Sequence, residues 1–188
     1  MATSASKCNG LKKSIVRIVI TGAESTGKSA LSQHLAEIYS GVWIPEYARE
    51  YIESLNRPYV LDDVLAIARH QIANDIWHTQ HSTEGVIFFD TWLILTKVWL
   101  EIVYGNCPDW ISDHIRASKI DLFLVCNNDI PWIEDKVREN GGEKREALFE
   151  LYCAQISAFG FTYEIISGVG HERVENALKA IDMHQLNL

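Results

Sequence analysis

The segment from Gly22 to Ser29 has the residue types and spacing needed to bind the phosphates of a nucleotide. It reads G-A-E-S-T-G-K-S, which fits the pattern G-x-x-x-x-G-K-[ST]. In this pattern the glycines let backbone N–H groups surround the phosphates, Lys28 lies near the β- and γ-phosphates, and the Ser29 hydroxyl can join the shell of a Mg²⁺ ion. The sequence therefore predicts ATP and Mg²⁺ as cofactors. The residues predicted to contact the nucleotide are Gly22, Ala23, Glu24, Ser25, Thr26, Gly27, Lys28, Ser29 and Ala30.

A second candidate for this chemistry is Asp90, which directly follows the apolar run 86–89. A carboxylate at the end of a buried strand is well placed to hold Mg²⁺ or its waters opposite Ser29. The alternative is that Asp90 caps the helix expected from Leu93, since aspartate is favoured at helix N-termini.

Charged and aromatic residues also follow the short apolar run 42–45, in the segment E-Y-A-R-E from Glu46 to Glu50. Glu46 could accept a hydroxyl proton or hold a sugar, Arg49 could bind a phosphate, and Tyr47 could stack on a flat ring. The alternative is the solvated start of a helix. Trp92 and Trp132 also follow predicted strands, where an aromatic side chain could stack on a base.

The segment 132–145 contains several cations around the pair Gly141-Gly142. This pattern predicts a helical lid that closes over the triphosphate and brings an arginine, such as Arg138 or Arg145, to the transferring phosphoryl group. A solvated amphipathic helix is the alternative. The cations are Lys136, Arg138, Lys144 and Arg145.

The residues around these motifs predict an α/β fold of three layers, with a mainly parallel sheet. Uninterrupted apolar strands alternate with amphipathic helices, which is typical of a parallel sheet covered on both faces. In such a sheet the ligand lies outside the carboxyl ends of the strands, where the candidate residues fall. We expect strands over 15–21, 42–45, 85–90, 121–126 and 162–167, and helices over 29–40, 62–79, 93–104, 109–118, 132–159 (broken at 141–142) and 171–184.

Composition limits the function classes. With 188 residues, 47% hydrophobic, the chain is expected to form a single domain over 15–188 after a flexible N-terminus over 1–14. A net charge of −8 argues against nucleic acid as a partner, and no apolar stretch is long enough to span a membrane. The cysteines are scattered, which predicts free thiols and a cytoplasmic location. We expect a small-molecule substrate and a possible homo-oligomer.

Among proteins with this loop, the sequence favours a small-molecule kinase. A GTPase needs Asn-Lys-x-Asp after a later strand, whereas residues 126–129 read Cys-Asn-Asn-Asp. An ATP-driven motor is usually larger, and Thr91 rather than a second carboxylate follows Asp90. A single acidic domain with a predicted lid and a charged acceptor site fits a kinase.

Several segments resemble the nicotinamide riboside kinase domain of the bacterial bifunctional NAD-salvage proteins. The similarity covers roughly Val16 to Ile181. The matching segments are the loop G-A-E-S-T-G-K-S, E-Y-A-R-E at 46–50, H-Q at 70–71, F-F-D-T at 88–91 and W-I-E-D-K-V-R at 132–138.

The resemblance implies a P-loop kinase that is similar in fold to deoxynucleoside and thymidylate kinases, with a helical lid. It implies that Gln71 and Tyr47 face the acceptor base and that Arg138 and Arg145 face the ATP phosphates. The adenylyltransferase part of those proteins is not found in these 188 residues, so the expected product is a mononucleotide.

The expected reaction is ATP-dependent phosphorylation of the 5′-hydroxyl of nicotinamide riboside to give nicotinamide mononucleotide. The alternatives are a nucleoside or deoxynucleoside kinase, and a nucleotide-dependent ATPase or binding switch. The residues expected to bind the acceptor are Glu46, Tyr47, Arg49, Gln71, Asp90 and Trp92.

Overall fold

The computed structural model describes residues 15–82, 85–134, 140–186 and 188. In these residues a five-stranded parallel sheet has the order β2-β3-β1-β4-β5. Its strands are β1 (Val16–Gly22), β2 (Val42–Ile44), β3 (Val86–Asp90), β4 (Leu122–Cys126) and β5 (Tyr163–Ile166). The predicted parallel α/β architecture is confirmed.

Helices cover both faces of this sheet. They are α1 (Lys28–Ile38), α2 (Tyr47–Ser54), α3 (Leu61–His81), α4 (Leu93–Tyr104), α5 (Asp109–Ala117), α6 (Glu143–Ala158) and α7 (His171–Met183). Because successive strand residues point to opposite faces, Val19 and Ile87 pack beneath α3, α4 and α5, whereas Ile18 and Phe88 pack against α1 and α7. The result is the predicted three-layer fold.

The register of the sheet brings the predicted site residues to one edge. β1 lies between β3 and β4, with Ile20 opposite Asp90 and Gly22 opposite Cys126. All strands are parallel, so their carboxyl ends lie together. The loops that follow β1, β3 and β4 therefore meet at the same end of the molecule.

The predicted helix over 132–159 is only partly correct. Residues 131–134 are not helical, and α6 begins at Glu143. Before it, Gly142 has a φ of 60°, a conformation that L side chains rarely adopt, and this turn separates the helix from the preceding chain. Lys136 and Arg138 lie outside the described residues.

Some details of the helices and termini also differ from expectation. The helical spacing of Val64, Ile67, Ile72 and Ile76 predicts that all four face inward, but Ile76 is 44% exposed near the end of α3. Cys107 and Cys126 are buried free thiols, as predicted, whereas Cys153 is a free thiol that is only half-buried. Among the helices within the described ranges, none is long and apolar enough to cross a membrane. Residues 1–14, predicted to be flexible, lie outside those ranges.

Candidate nucleotide and acceptor site

The phosphate-binding loop connects β1 to α1 through two glycines with positive φ. Gly22 has a φ of 134°, and a Cβ atom at this position would lie 2.6 Å from the carbonyl oxygen of Cys126 on the neighbouring strand. Gly27, with a φ of 76°, precedes the first turn of α1. The Thr26 hydroxyl and the Lys28 ammonium donate to the Ala23 carbonyl at 2.9 and 2.7 Å. The loop is thus closed by its own side chains.

Asp90, at the end of β3, lies beside this loop. It is 2% exposed and accepts a hydrogen bond from Ser29. Desolvation by burial raises the pKa of Asp90, while the Ser29 hydrogen bond and the charge of Lys28 oppose this shift. The N-cap of α4 is Trp92, so the alternative in which Asp90 caps that helix does not hold.

The oxygen atoms at this point fit a Mg²⁺ ion. Asp90 Oδ1 is buried and has no hydrogen-bond partner within the part of the chain that the structure describes. A carboxylate and a hydroxyl are ligands that Mg²⁺ accepts, with water and phosphate oxygens completing its shell. No group of three or more His, Cys, Asp or Glu side chains in the described ranges could hold a metal ion by itself. The arrangement therefore suits an ion shared with a nucleotide.

Glu46, the residue that precedes α2, lies close enough to Lys28 and Asp90 to interact with their charges. Desolvation by burial raises the pKa of its carboxyl group; Lys28 counteracts the shift and Asp90 adds to it. These electrostatic couplings mean that side chains from three separate elements converge. On the first turn of α2, Arg49 Nε pairs with Glu53 Oε1 at 2.9 Å, and both residues line the same cleft.

Lys28, Glu46, Arg49 and Glu53 line a cleft with a volume of about 1320 Å³. Its walls are formed by Gly22, by the loop residues from Glu24 to Ala30 and by residues of α2, α3, α4 and α6. Pockets for one drug-sized ligand are typically ~300–1,000 Å³, so this cleft has room for a nucleotide and a second molecule. Gln71 lines the cleft, and its Oε1 accepts a hydrogen bond from Thr96 at 2.7 Å.

The predicted aromatic contacts differ from expectation in one case. Tyr47 stacks on His70 with ring centroids 3.5 Å apart, at the wall of a recess of only about 20 Å³. Trp92 also lines this recess but is 2% exposed, with edge contacts to Phe123 and Phe161. Because its ring belongs to the core, the prediction that Trp92 stacks on a base is wrong.

Arg145 and Glu24 hold the loop to the chain around α6. The buried guanidinium of Arg145 donates to the carbonyls of Glu24 and Ser25 at 2.9 and 3.0 Å. The Glu24 carboxylate accepts from the backbone and side-chain N–H groups of Asn140 at 3.0 and 2.8 Å. Trp132, from the predicted stacking pair, donates to Glu24 at 3.5 Å and packs against Gly141. Contact between Arg145 and phosphate stays a prediction, and Arg138 lies outside the described residues.

Sequence reasoning missed Arg173 and Asp129. Arg173, at the start of α7, is 3% exposed, donates to the Thr26 carbonyl and pairs with Asp129. Thr26 and Arg173 are 147 positions apart, and in the sequence Arg173 is an ordinary polar residue of an amphipathic helix. Only the folded arrangement of β4, β5 and α7 brings them together.

Comparison with known proteins places residues 17–173 in the family described as AAA domain. The chain belongs to this family. The match begins in β1 and ends in α7, so it includes the phosphate-binding loop, Asp90 and Arg173.

The resemblance found in the sequence is confirmed by curated relatives. The chain is 26% identical over 139 residues to the trifunctional NAD biosynthesis/regulator protein NadR of Salmonella typhimurium, which covers 71% of this chain and 33% of the relative. It is 28% identical to the protein of the same name from Escherichia coli, with the same coverage. The chain thus spans about one third of the length of these relatives.

Solved structures share the fold. The structure of NadR in complex with NAD and AMP-PNP has a TM-score of 0.76 at 24% identity and covers 92% of this chain and 50% of that one. Thymidylate kinase from Ehrlichia chaffeensis has a TM-score of 0.63 at 13% identity and covers 89% of this chain and 97% of that one. Deoxyadenosine kinase from M. mycoides has a TM-score of 0.58 at 14% identity and covers 89% of this chain and 99% of that one. The predicted nucleoside-kinase-like P-loop fold is therefore confirmed.

Proposed function

We propose that this protein transfers the γ-phosphoryl group of ATP to the 5′-hydroxyl of nicotinamide riboside. The observation that carries the proposal is that Lys28, Ser29 and Glu46 line one cleft large enough for two ligands, while Asp90 lies beside them and accepts a hydrogen bond from Ser29. The likeness to NadR, named for NAD biosynthesis, supports this acceptor. The cleft lies between the loop that would hold ATP and the helices α2 to α4 that would hold the riboside.

Each residue has a distinct task in the proposed reaction. Lys28 and the loop N–H groups bind the phosphates, and Ser29 and Asp90 would hold Mg²⁺. This ion, when bound, neutralises charge on the phosphate oxygens. Glu46 orients the 5′-hydroxyl and accepts its proton, because burial has raised the pKa of this carboxyl and thereby made it a better base. Since phosphoryl transfer passes through a loose transition state, positioning contributes more than proton removal.

A panel of acceptors with ATP and Mg²⁺ tests the proposal. Nicotinamide riboside, uridine, thymidine and deoxyadenosine are each incubated with the full-length chain, and the mononucleotide products are separated and quantified. We expect nicotinamide mononucleotide to form with the highest kcat/KM. A higher value for thymidine or deoxyadenosine would replace the proposal with the alternative of a deoxynucleoside kinase.

A matched variant makes the panel decisive. Lys28→Ala, purified in the same way, should form product at least ~100-fold more slowly, which excludes a contaminating kinase. ATP hydrolysis at an unchanged rate with and without every acceptor would instead support an ATPase or a nucleotide-dependent binding switch.

A further inference from the structure

Two buried arginines from distant helices donate to consecutive carbonyls of the phosphate-binding loop. Arg145, on α6, donates from Nε to the Glu24 carbonyl at 2.9 Å and from Nη2 to the Ser25 carbonyl at 3.0 Å. Arg173, on α7, donates from Nη1 to the Thr26 carbonyl. The exposed fractions of these arginines are 7% and 3%. The backbone of three successive loop residues is therefore held by groups that belong to the protein interior.

These bonds determine the direction of the loop N–H groups. In a planar trans peptide, the carbonyl of one residue and the N–H of the next point in opposite directions. With the carbonyls of residues 24–26 turned toward the arginines, the N–H groups of Ser25, Thr26 and Gly27 point away from them. The same residues line the main cleft. Successive N–H groups that face one point form a site for an anion.

The arginines are themselves fixed by further contacts. Arg145 Nη1 donates to the Ile130 carbonyl at 2.7 Å. Arg173 pairs with Asp129 and donates from Nε to the Gly168 carbonyl at 2.7 Å. Asp129 in turn accepts from the backbone N–H of Gly168 at 2.6 Å. A guanidinium presents five donors in a rigid plane and can bridge several carbonyls, which a lysine ammonium cannot do with the same geometry.

The loop needs such external support because part of its backbone is strained. Ser25 has a φ of 59°, in the left-handed region that non-glycine residues rarely occupy. A conformation of this kind persists where the surrounding structure over-determines it. Arg145 supplies that constraint, because it donates to the Glu24 carbonyl before the strained φ angle of Ser25 and to the Ser25 carbonyl after it.

We propose that Arg145 and Arg173 are positioning residues, which orient the loop N–H groups before the nucleotide binds and do not themselves contact phosphate. The proposal rests on the proposed function only in requiring that the loop bind a nucleotide. Since the loop N–H groups cradle the α- and β-phosphates, their misalignment weakens ADP and ATP equally. A direct contact with the γ-phosphate would weaken ATP alone.

Calorimetric titration of the full-length chain distinguishes these cases without any acceptor. The probes are Mg²⁺ with ADP and Mg²⁺ with AMP-PNP, and the variants are Arg145→Lys and Arg173→Lys. We expect each variant to raise both dissociation constants by roughly tenfold and by the same factor, as loss of a charge-assisted hydrogen bond would. The control is Arg17→Lys. It changes another buried arginine, 6% exposed and bonded to Asp75, at the opposite end of β1, and should leave both constants unchanged.

Other outcomes would overturn the proposal. If Arg145→Lys weakened AMP-PNP far more than ADP, Arg145 would contact the γ-phosphate. If the lysine variants lowered the melting temperature as Arg17→Lys does but left both constants unchanged, the arginines would only stabilise the fold. Should Arg173→Lys not fold, Asp129→Asn leaves the arginine in place but removes the negative charge that it pairs with. Unchanged dissociation constants in that variant would refute the role of Arg173. A wild type that binds neither nucleotide would refute the proposed function as well.

Discussion

At the scale of single residues, Lys28 is expected to be required for the chemistry but not for folding. Its ammonium closes the loop by donating to the Ala23 carbonyl at 2.7 Å and lies where a triphosphate would bind. Lys28→Ala should lower kcat by ~100-fold or more, as removal of a preorganised charge-stabilising group does in other enzymes. Turnover and thermal melting are measured on the same preparation. More than a tenth of the wild-type turnover would contradict the role of Lys28.

Asp90 is expected to act through the metal ion. Asp90→Asn keeps the shape of the side chain but removes charge from the site where Ser29 and Asp90 would hold Mg²⁺. The Mg²⁺ concentration for half-maximal rate should rise, and kcat should fall more than ATP affinity does. A Mg²⁺ titration of the rate, with ATP binding measured separately, tests this. Unchanged activity at saturating Mg²⁺ would leave Asp90 with a structural role only.

Glu46 should destabilise the fold at neutral pH as a consequence of its place in the site. Burial raises the pKa of Glu46, so the folded state binds the proton more tightly than the unfolded state. The resulting stability is present below the unfolded pKa of about 4.3 and is lost as pH rises through the folded pKa. Glu46→Gln should therefore raise the melting temperature at pH 7, by an amount that shrinks toward pH 4, while turnover falls. A difference in melting temperature between the variant and the wild type that is the same at pH 4 and pH 7 would contradict the raised pKa of Glu46.

At the scale of secondary-structure elements, the contact between the ends of β1 and β4 depends on one glycine. A Cβ atom at Gly22 would lie 2.6 Å from the Cys126 carbonyl oxygen, and its φ is 134°. Gly22→Ala should therefore destabilise the protein by about 3 kcal/mol or more, because backbone must move and strain adds to the clash.

Gly105 provides the matched control for this substitution. Its φ is 73°, but nothing lies within 4 Å of a Cβ atom built there. Gly105→Ala should cost only ~1 kcal/mol, since the left-handed conformation is its sole penalty. Urea unfolding of both variants measures the difference. If both variants lost the same free energy of unfolding, the contact between the ends of β1 and β4 at Gly22 would not be tight.

The elements that the sequence predicted best are those defined by local pattern. β1, its loop and α1 follow from a motif with an apolar run before it and helical spacing after it, and the Leu93–Tyr104 helix matches α4. The segment around Trp132 was predicted wrongly as helix, because its conformation depends on Glu24, more than a hundred residues earlier. Arg173 could not be found for the same reason. Its partners come from three loops that only the fold brings together.

At the scale of the whole molecule, charge should influence the choice of acceptor. The chain carries a net charge of −8, and Glu46 and Glu53 line the cleft. Under the proposed function, we expect these carboxylates to attract a riboside with a cationic pyridinium ring, and Tyr47 to add a cation–π contact of ~0.5–2 kcal/mol. We expect kcat/KM for nicotinamide riboside to exceed that for uridine by roughly tenfold or more, since ~1.4 kcal/mol is one decade.

The Tyr47→Leu variant isolates the aromatic part of this preference. It should reduce the ratio between the two acceptors more than it raises the KM for ATP. Trp92→Leu is a useful contrast, because Trp92 is in the core and its replacement should mainly lower the melting temperature. An unchanged ratio in Tyr47→Leu would assign the preference to the carboxylates, and a ratio near one in the wild type would refute it altogether.

The positions of β1 and β2 in the sheet determine how well the segments that follow them tolerate substitution. β1, which leads into the phosphate-binding loop, is the middle strand of the sheet, and every one of its residues is buried. β2, which leads to the proposed acceptor wall, is a three-residue edge strand, and α2 has no buried residue. Substitutions in α2 therefore cost little stability, whereas those around β1 cost much. Under the proposed function, we therefore expect substitutions along α2 to exchange one acceptor for another more readily than substitutions around β1 change the phosphate donor.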